Sequence, residues 1–212
     1  MLDGHTVVIR LARNLSEREE REHVEYLLKR MRKVALKELE RTPIDPFRPL
    51  LEGQSSVTLT LGNGTERRFD LIPGSKTKGK RIHNGWSVTV APGLRRAALH
   101  RYLWNLLAHG EFERMEGLLT EIDMRTFDIG FTSFRLRHTT SQWGSCSGRG
   151  DILIGTQLLL VPEPLLEYVM IHELAHRLHR NHGKHYWAAV KRVLPGYKER
   201  RAALKKYKVC AV

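Results

Sequence analysis

Five histidines and one glutamate fall within the seventeen residues IHELAHRLHRNHGKHYW, at positions 171–187. In a helix, His172 and His176 lie four residues apart on one face, so both imidazoles can bind the same cation. Glu173 is rotated from them by about a quarter-turn, which suits a carboxylate that contacts a metal-activated water and not the metal. Zn2+ lowers the pKa of such a water to about 7, and the carboxylate can pass its proton to a leaving amine. The spacing predicts metal-assisted hydrolysis; the alternative is a histidine-rich helix on a basic protein.

A catalytic zinc ion takes three protein ligands and keeps one position open. The candidates for the third ligand are His179, His182, His185 and, farther away, Cys146. On a continued helix His182 would point away from the first two histidines, whereas a break at Asn181–Gly183 would let the chain turn and bring it back. His179 would crowd the site, and His185 begins the next helical pattern, where it can hydrogen-bond a ligand or the substrate. The residues alone leave this choice open.

The segment that carries the motif has the pattern of a buried helix. Pro162 and Pro164 mark its start, and its interior LLEYVMIHELAHRLH is apolar on most sides. Polar groups inside such a helix are costly unless they have partners, which favours a metal-binding role for its histidines. A second helix is predicted from KHYWAAVKRVL, beyond the break at Asn181 and Gly183.

The sequence before this helix predicts mostly hairpins. Residues 57–61 and 67–72 alternate in polarity around a GNG turn, and Asn84-Gly85 marks a second hairpin. A helix is predicted at 94–109, and two strands at 131–138 and 151–160 flank a loop at 139–150. Strands followed by helices, joined by hairpins and not by crossovers, predict an α+β domain.

The first 50 residues are predicted to form an extension to a domain at 51–212. A short strand is predicted at 6–12, and Ser16 with Glu19 is a capping-box signature for a helix that runs to about residue 41. Apolar residues recur along this helix at helical spacing. The helix therefore either docks on the body with its charged face in solvent or binds nucleic acid.

A family resemblance rests on SQWGSC, IHELAH and NHG within the segment from Ser141 to Leu204. This segment resembles the YgjP-like metallopeptidase domain, which is related to SprT and WLM-type metalloproteases. The resemblance is looser back to residue 57 and does not include the first 50 residues. The chain departs from the family pattern at Gly155-Thr156, where relatives usually carry an asparagine, and at His185, where Arg or Lys is frequent.

This resemblance implies a small zincin-like metallopeptidase fold, with an antiparallel or mixed sheet and the HExxH helix. It also implies one zinc ion bound by His172, His176 and His182, with Glu173 as the base. The Trp-Gly-Ser-Cys element of the family matches Trp143 to Cys146 in this chain.

The WGSC element and the residues after the histidine motif have alternative interpretations. Trp143 and Cys146 suit packing, but Cys146 as a metal ligand would resemble peptide deformylase, an amide hydrolase that combines a His-Glu-x-x-His helix with a cysteine. Tyr186 suits core packing as well, and the alternative is a donor to the oxyanion that forms during hydrolysis. His185 is the candidate for a contact with the substrate or with a metal ligand.

Composition favours polyanionic partners. The net charge is +13 and the pI is about 10.1, which favours DNA or RNA as partners without bearing on the fold. Two basic clusters support this interpretation, although such clusters are also typical of a solvated surface. The first consists of Lys76, Lys78, Lys80 and Arg81, and the second of Lys205, Lys206 and Lys208.

Targeting signals and cysteine usage favour a cytoplasmic protein. The N-terminal sequence lacks the apolar region of a signal peptide, and no apolar run reaches the length of a membrane span. The two cysteines, Cys146 and Cys210, make no disulfide framework and suit a reducing compartment.

These observations predict a zinc-dependent metallopeptidase whose substrate is a protein or peptide, with nucleic-acid-associated proteins as one candidate class. The competing predictions are a basic nucleic-acid-binding module with a structural or vestigial zinc site, and a deformylase-like amide hydrolase. Glu173 favours an enzyme, because a structural zinc ion has no use for that carboxylate.

Overall fold

A computed structural model describes residues 9–12 and 15–209 of the chain. Its internal contacts divide the chain into two compact units, one up to Thr42 and one from Pro43 onwards. The sequence placed the boundary eight residues later, after position 50, and the extent of the catalytic domain stays a prediction. Residues 9–12 form no strand, contrary to the prediction for 6–12. The rest of that predicted strand, and Cys210, lie outside the described residues.

The N-terminal unit contains one long helix, α1 (Glu17–Leu39). Its predicted capping box is present: the Ser16 backbone N–H donates to the Glu19 carboxylate at 2.8 Å, and the Glu19 N–H donates to the Ser16 hydroxyl at 3.4 Å. Several residues of its predicted apolar stripe are exposed, namely Leu28, Met31, Val34 and Leu39.

The second unit begins with β1 (Thr42–Ile44) and the short helix α2 (Arg48–Leu51), followed by a four-stranded sheet. The sheet contains β2 (Ser56–Thr60), β3 (Glu66–Pro73), β4 (Lys78–Ile82) and β5 (Gly85–Val90) in the order β2-β3-β5-β4. Both predicted hairpins are confirmed as antiparallel pairs, β2 with β3 and β4 with β5. The pairing of β3 with β5 is parallel, so the two hairpins join into a mixed sheet.

Helix α3 (Arg96–Thr126) is nearly twice as long as the helix predicted at 94–109. The prediction stopped before Gly110, because glycine weakens a helix interior. In the structure this glycine is required by packing, since a Cβ atom there would lie 2.1 Å from the Trp86 ring and 2.2 Å from the Arg81 guanidinium. Contact with the four-stranded sheet therefore overrides local helix propensity.

A three-stranded sheet follows α3, with β6 (Ser133–Arg137), β7 (Gly144–Cys146) and β8 (Asp151–Gly155) in the order β6-β8-β7. Strand β7 was predicted as part of a loop; it is instead an edge strand antiparallel to β8. The strand predicted at 151–160 ends at Gly155. The second half of the predicted strand, Thr156–Leu160, forms a 3-10 helix instead.

The C-terminal part contains α4 (Glu163–Leu178), α5 (Lys184–Val193), α6 (Tyr197–Leu204) and β9 (Tyr207–Val209). Helix α4 packs against α3, α5, α6 and both β7 and β8, so it lies in the middle of this unit. The α+β prediction is confirmed, and so is the burial of α4. None of the described helices is long and apolar enough to cross a membrane.

Candidate metal centre

The neighbouring elements pack against helix α4 on several sides. The helix is therefore held in place, and so is the histidine motif that it carries. Apolar side chains such as Met170, Ile171 and Leu174 are completely buried. At its outer edge, the Glu167 carboxylate accepts hydrogen bonds from Arg125 of α3 at 2.6 Å and from Arg200 of α6. These charge-assisted bonds fix the helix relative to its neighbours.

Three histidines converge at the C-terminal end of α4. His172 and His176 lie on one face, as their spacing predicted, and the ligand nitrogens of these two and of His182 all lie within 4.8 Å of one another. The chain leaves the helix after Leu178, earlier than the predicted break at Asn181, because His179 adopts an extended backbone. The loop from 179 to 183 then returns the His182 ring to within 4.9 Å of the His172 ring.

The chemistry of this set fits a bound cation. The Nε2 atoms of His172 and His182 face each other at 3.0 Å, and burial, reinforced by the neighbouring histidines, lowers the pKa of His172 to about 3. Burial likewise lowers the pKa of His182. Neutral imidazoles offer lone pairs, and zinc is bound by such nitrogens. A cation at this place would be bound by the lone pairs of these imidazoles.

His176 is oriented by the backbone of the loop. Its Nδ1 atom lies 3.2 Å from the His179 carbonyl oxygen, and an Nδ1–H donated to this oxygen leaves Nε2 as the metal-binding atom. Carbonyl groups often orient histidine ligands in this way.

Glu173 faces the same cavity, which has a volume of about 370 Å³, and is only 5% exposed. Burial raises its pKa to about 8. A positive charge at the histidines favours the ionised form of a nearby carboxylate, and that is the form a general base needs. The carboxylate packs against Gly144 of β7, where an added Cβ atom would lie 2.9 Å from Glu173 Oε1 and 3.0 Å from its Cγ.

Two of the other predicted residues line the periphery of the site or pack beneath it. Tyr186 is completely buried, and its hydroxyl donates to the His172 carbonyl at 2.9 Å, which supports its predicted packing role and not that of an oxyanion donor. His185 is exposed and is not among the residues that line the metal cavity; its ring lies 6.0 Å from that of His179.

The WGSC element forms one wall of the metal cavity. Cys146 lines the wall but is outside the cluster of potential ligands among the described residues, which consists of three histidines. Burial raises the pKa of its thiol, with Glu173 as the next cause. Trp143 is half-buried against the core, as predicted.

The basic candidates lie on two different elements. In the first cluster all four side chains are exposed on or beside the edge strand β4, and the Arg81 guanidinium lies 4.3 Å above the Trp86 ring. The second cluster lies at the end of α6 and in β9, with Lys205 and Lys206 exposed and Lys208 half-buried.

Two contributors to the cavity were missed by sequence reasoning. Gly144 lay within the predicted loop at 139–150 without a role of its own, and Arg180, whose guanidinium donates to the Gly148 carbonyl at 3.3 Å, was not among the predicted site residues. The compact spacing of Gly144 to Gly148 was the available signal, since small residues in a short segment permit close approach of other groups.

Two histidines and a buried glutamate on the central helix of an α+β unit, together with a third histidine from the following loop, form a site of the kind that a metal-dependent peptidase needs. The sequence matches the YgjP-like metallopeptidase domain family over residues 2–207, and the chain belongs to this family. The match includes the first 50 residues, which the resemblance noted in the sequence did not reach. The family assignment was predicted and is confirmed.

Two solved structures are similar to part of the chain. The metallopeptidase zymogen abylysin of Pyrococcus abyssi is 25% identical, with 45% of this chain and 99% of that chain covered at a TM-score of 0.40. The metallopeptidase zymogen jannalysin of Methanocaldococcus jannaschii is 17% identical, with 42% and 92% covered at a TM-score of 0.39. No curated protein sequence matches the chain. The family assignment rests on the family match alone.

Proposed function

We propose that the chain is a zinc metallopeptidase in which His172, His176 and His182 bind one zinc ion and Glu173 is the general base. The observation that carries this proposal is the convergence of three histidine nitrogens within 4.8 Å, beside a carboxylate on the same cavity. When bound, the zinc ion would polarise the peptide carbonyl and acidify a water molecule.

The residues of the chain then supply proton transfer and positioning. Glu173 accepts a proton from the attacking water and passes it to the nitrogen of the leaving amine. The contact with Gly144 restricts the carboxylate to one side of the cavity. Tyr186 holds the backbone of His172 through its hydroxyl, and the His179 carbonyl holds the ring of His176.

The test of this proposal is Glu173→Gln, which keeps the shape of the side chain but cannot accept the proton. Zinc content, measured by mass spectrometry of the purified chain, should not change, whereas peptide hydrolysis should fall by at least about a hundredfold. Glu163→Gln, on the exposed first turn of the same helix, is the matched control and should leave both unchanged. Full turnover in Glu173→Gln would show that another group is the base.

We extend the proposal to a cytoplasmic enzyme that acts on nucleic-acid-bound proteins. The net charge of +13 and the exposed lysines of β4 support it, because a basic surface attracts phosphates independently of sequence. Cysteine usage supports a reducing compartment. The extension is tested by measuring whether the chain binds labelled DNA and RNA at low ionic strength. The absence of binding to both nucleic acids would refute it.

A further inference from the structure

A second cavity lies in the second unit, between the first turns of α3 and the segment from β6 to β7. Its volume is about 630 Å³. Polar and cationic side chains dominate its lining, which consists of Ala97, His100, Arg101, Asn105, Arg137, His138, Thr139, Thr140, Ser141 and Gln142.

The net charge of this lining is positive. Arg101 and Arg137 are both exposed, and among the described residues neither forms an ion pair with a carboxylate. Within the described part of the chain, no aspartate or glutamate lines the cavity. The nearby Asp45 is outside the lining, and its Oδ1 lies 2.8 Å from His100 Nε2. Burial, followed by the proximity of His100, lowers the pKa of His138 to about 4, so at neutral pH the two guanidiniums carry the charge.

The wall of the cavity is held in place by buried contacts. The amide of Gln157, which is completely buried, donates to the Thr139 hydroxyl at 2.7 Å, and that hydroxyl donates to the Gln142 carbonyl. The His138 ring stacks on the buried Trp104 with 4.5 Å between ring centroids. Segment 138–142 is therefore fixed before any ligand binds, which reduces the entropy cost of binding.

The cavity adjoins the metal cavity along the chain. Gln142 lines the first cavity and Gly144 lines the second, and only Trp143 separates them. In an extended chain two residues span about 7 Å. The two cavities therefore meet at the short segment from Gln142 to Gly144, and a polypeptide bound at the histidines passes close to the cationic cavity.

We propose that this cavity is a subsite that binds an acidic side chain of the polypeptide substrate, through Arg101 and Arg137. The proposal rests on the proposed peptidase function and adds a preference for aspartate or glutamate at one fixed position near the cleaved bond. A guanidinium is suited to this task because its donors match the geometry of a carboxylate.

The experiment is a cleavage survey of a proteome-derived peptide library with the zinc-loaded chain and with Arg101→Gln/Arg137→Gln. The natural chain should cleave peptides with an acidic residue at one fixed position about tenfold faster than peptides with a neutral residue there, which corresponds to about 1.4 kcal/mol. The double variant should lose this preference, so that it cleaves acidic and neutral peptides at equal rates. Arg96→Gln, which is exposed on the same first turn but outside the lining, should retain the preference.

Equal cleavage of acidic and neutral peptides by the natural chain would overturn the subsite while leaving the peptidase proposal intact. So would an acidic preference that persists in the double variant. If no peptide is cleaved, the peptidase proposal fails, and fluorescence anisotropy with labelled peptides that differ only by Glu or Gln still tests the subsite. Equal affinity for the two peptides would then refute it.

Discussion

His182 reaches the metal centre from outside α4, and its position depends on the loop at 179–183. Because the other two histidines lie on the helix, the site joins two separate segments of the chain. Its side chain is exposed, in contrast to the largely buried His172. Replacement of His182 therefore removes a proposed ligand without opening a cavity in the core, and this property makes it a clean test of the proposed ligand set.

We expect His182→Ala to weaken zinc binding by more than about a hundredfold, beyond the typical loss for a partner that only orients a ligand. Competition with a chromophoric chelator measures the affinity. His185→Ala is the matched control, since His185 is exposed and outside the cavity lining. Cys146→Ser should also retain zinc; loss of zinc in this variant, with retention in His182→Ala, would favour the deformylase-like arrangement.

Gly144 makes a second prediction at the residue scale. A methyl group there would approach both the Glu173 carboxylate and the Leu153 carbonyl oxygen to about 3 Å, and the backbone atom cannot easily move. Gly144→Ala should therefore displace Glu173 and lower peptidase turnover by about tenfold to a hundredfold, the scale of a small misplacement of a catalytic group. Zinc affinity should not change. Gly117→Ala, in open space on α3, is the control, and equal turnover in both variants would contradict the prediction.

Sequence reasoning anticipated the histidine and glutamate positions because helical spacing alone determines which side chains share a face. The i, i+4 relation of His172 and His176 requires only that α4 be a helix. The contact between Gly144 and Glu173 joins residues 29 positions apart, and no local pattern encodes such a distance. The predicted return of His182 was correct in outcome, but the helix ends sooner than Asn181.

At the scale of elements, the ion pairs of Glu167 connect three helices. The carboxylate is one-fifth exposed and contacts Arg125 and Arg200 from opposite neighbours. Burial acts to raise its pKa, but the hydrogen bonds from the two arginines outweigh burial and hold the pKa below its usual range. The ionised form is therefore stabilised by folding.

Glu167→Gln should reduce the free energy of unfolding by about 1–2 kcal/mol at neutral pH. Because the folded pKa is depressed, this contribution is complete above the unfolded value of about 4.5 and is lost as the pH falls through the folded value. Thermal unfolding of the natural chain and of Glu167→Gln, from about pH 3 to about pH 7, measures this contribution. The difference in the free energy of unfolding between the two chains should become smaller as the pH falls. Glu121→Gln, exposed on α3, is the control, and a constant difference across the range would contradict the prediction.

Elements with a strong local sequence pattern were predicted correctly, whereas elements that are defined by pairing with other strands were not. The hairpins around Asn84 and the capping box at Ser16 rest on interactions between near neighbours, which the sequence displays directly. Strand β7 has three residues and no alternation, so only its pairing with β8 defines it. The parallel pairing of β3 with β5 likewise depends on contacts between two separate hairpins.

At the scale of the whole molecule, the excess of positive charge predicts binding to nucleic acid that is independent of sequence. Log affinity should fall linearly with log salt concentration, with a slope of about −0.9 for each phosphate contact in duplex DNA. Replacement of Lys76, Lys78 and Lys80 by Gln should reduce both the affinity and this slope without changing zinc content. Lys191→Gln, on the exposed side of α5, is a single-charge control, and an unaltered slope in the triple variant would place any binding surface elsewhere.

The close packing of Glu173 against Gly144 also determines when the Glu173 side chain loses its rotational freedom. Holding a free glutamate side chain in one orientation costs about 1.5–2 kcal/mol of free energy through lost rotational entropy. In this fold the edge strand removes that freedom when the chain folds, so the loss is not repeated in each catalytic cycle. If Glu173 is the general base that we propose, the glycine lowers the activation barrier through entropy, although it has no side chain and takes no part in the chemistry.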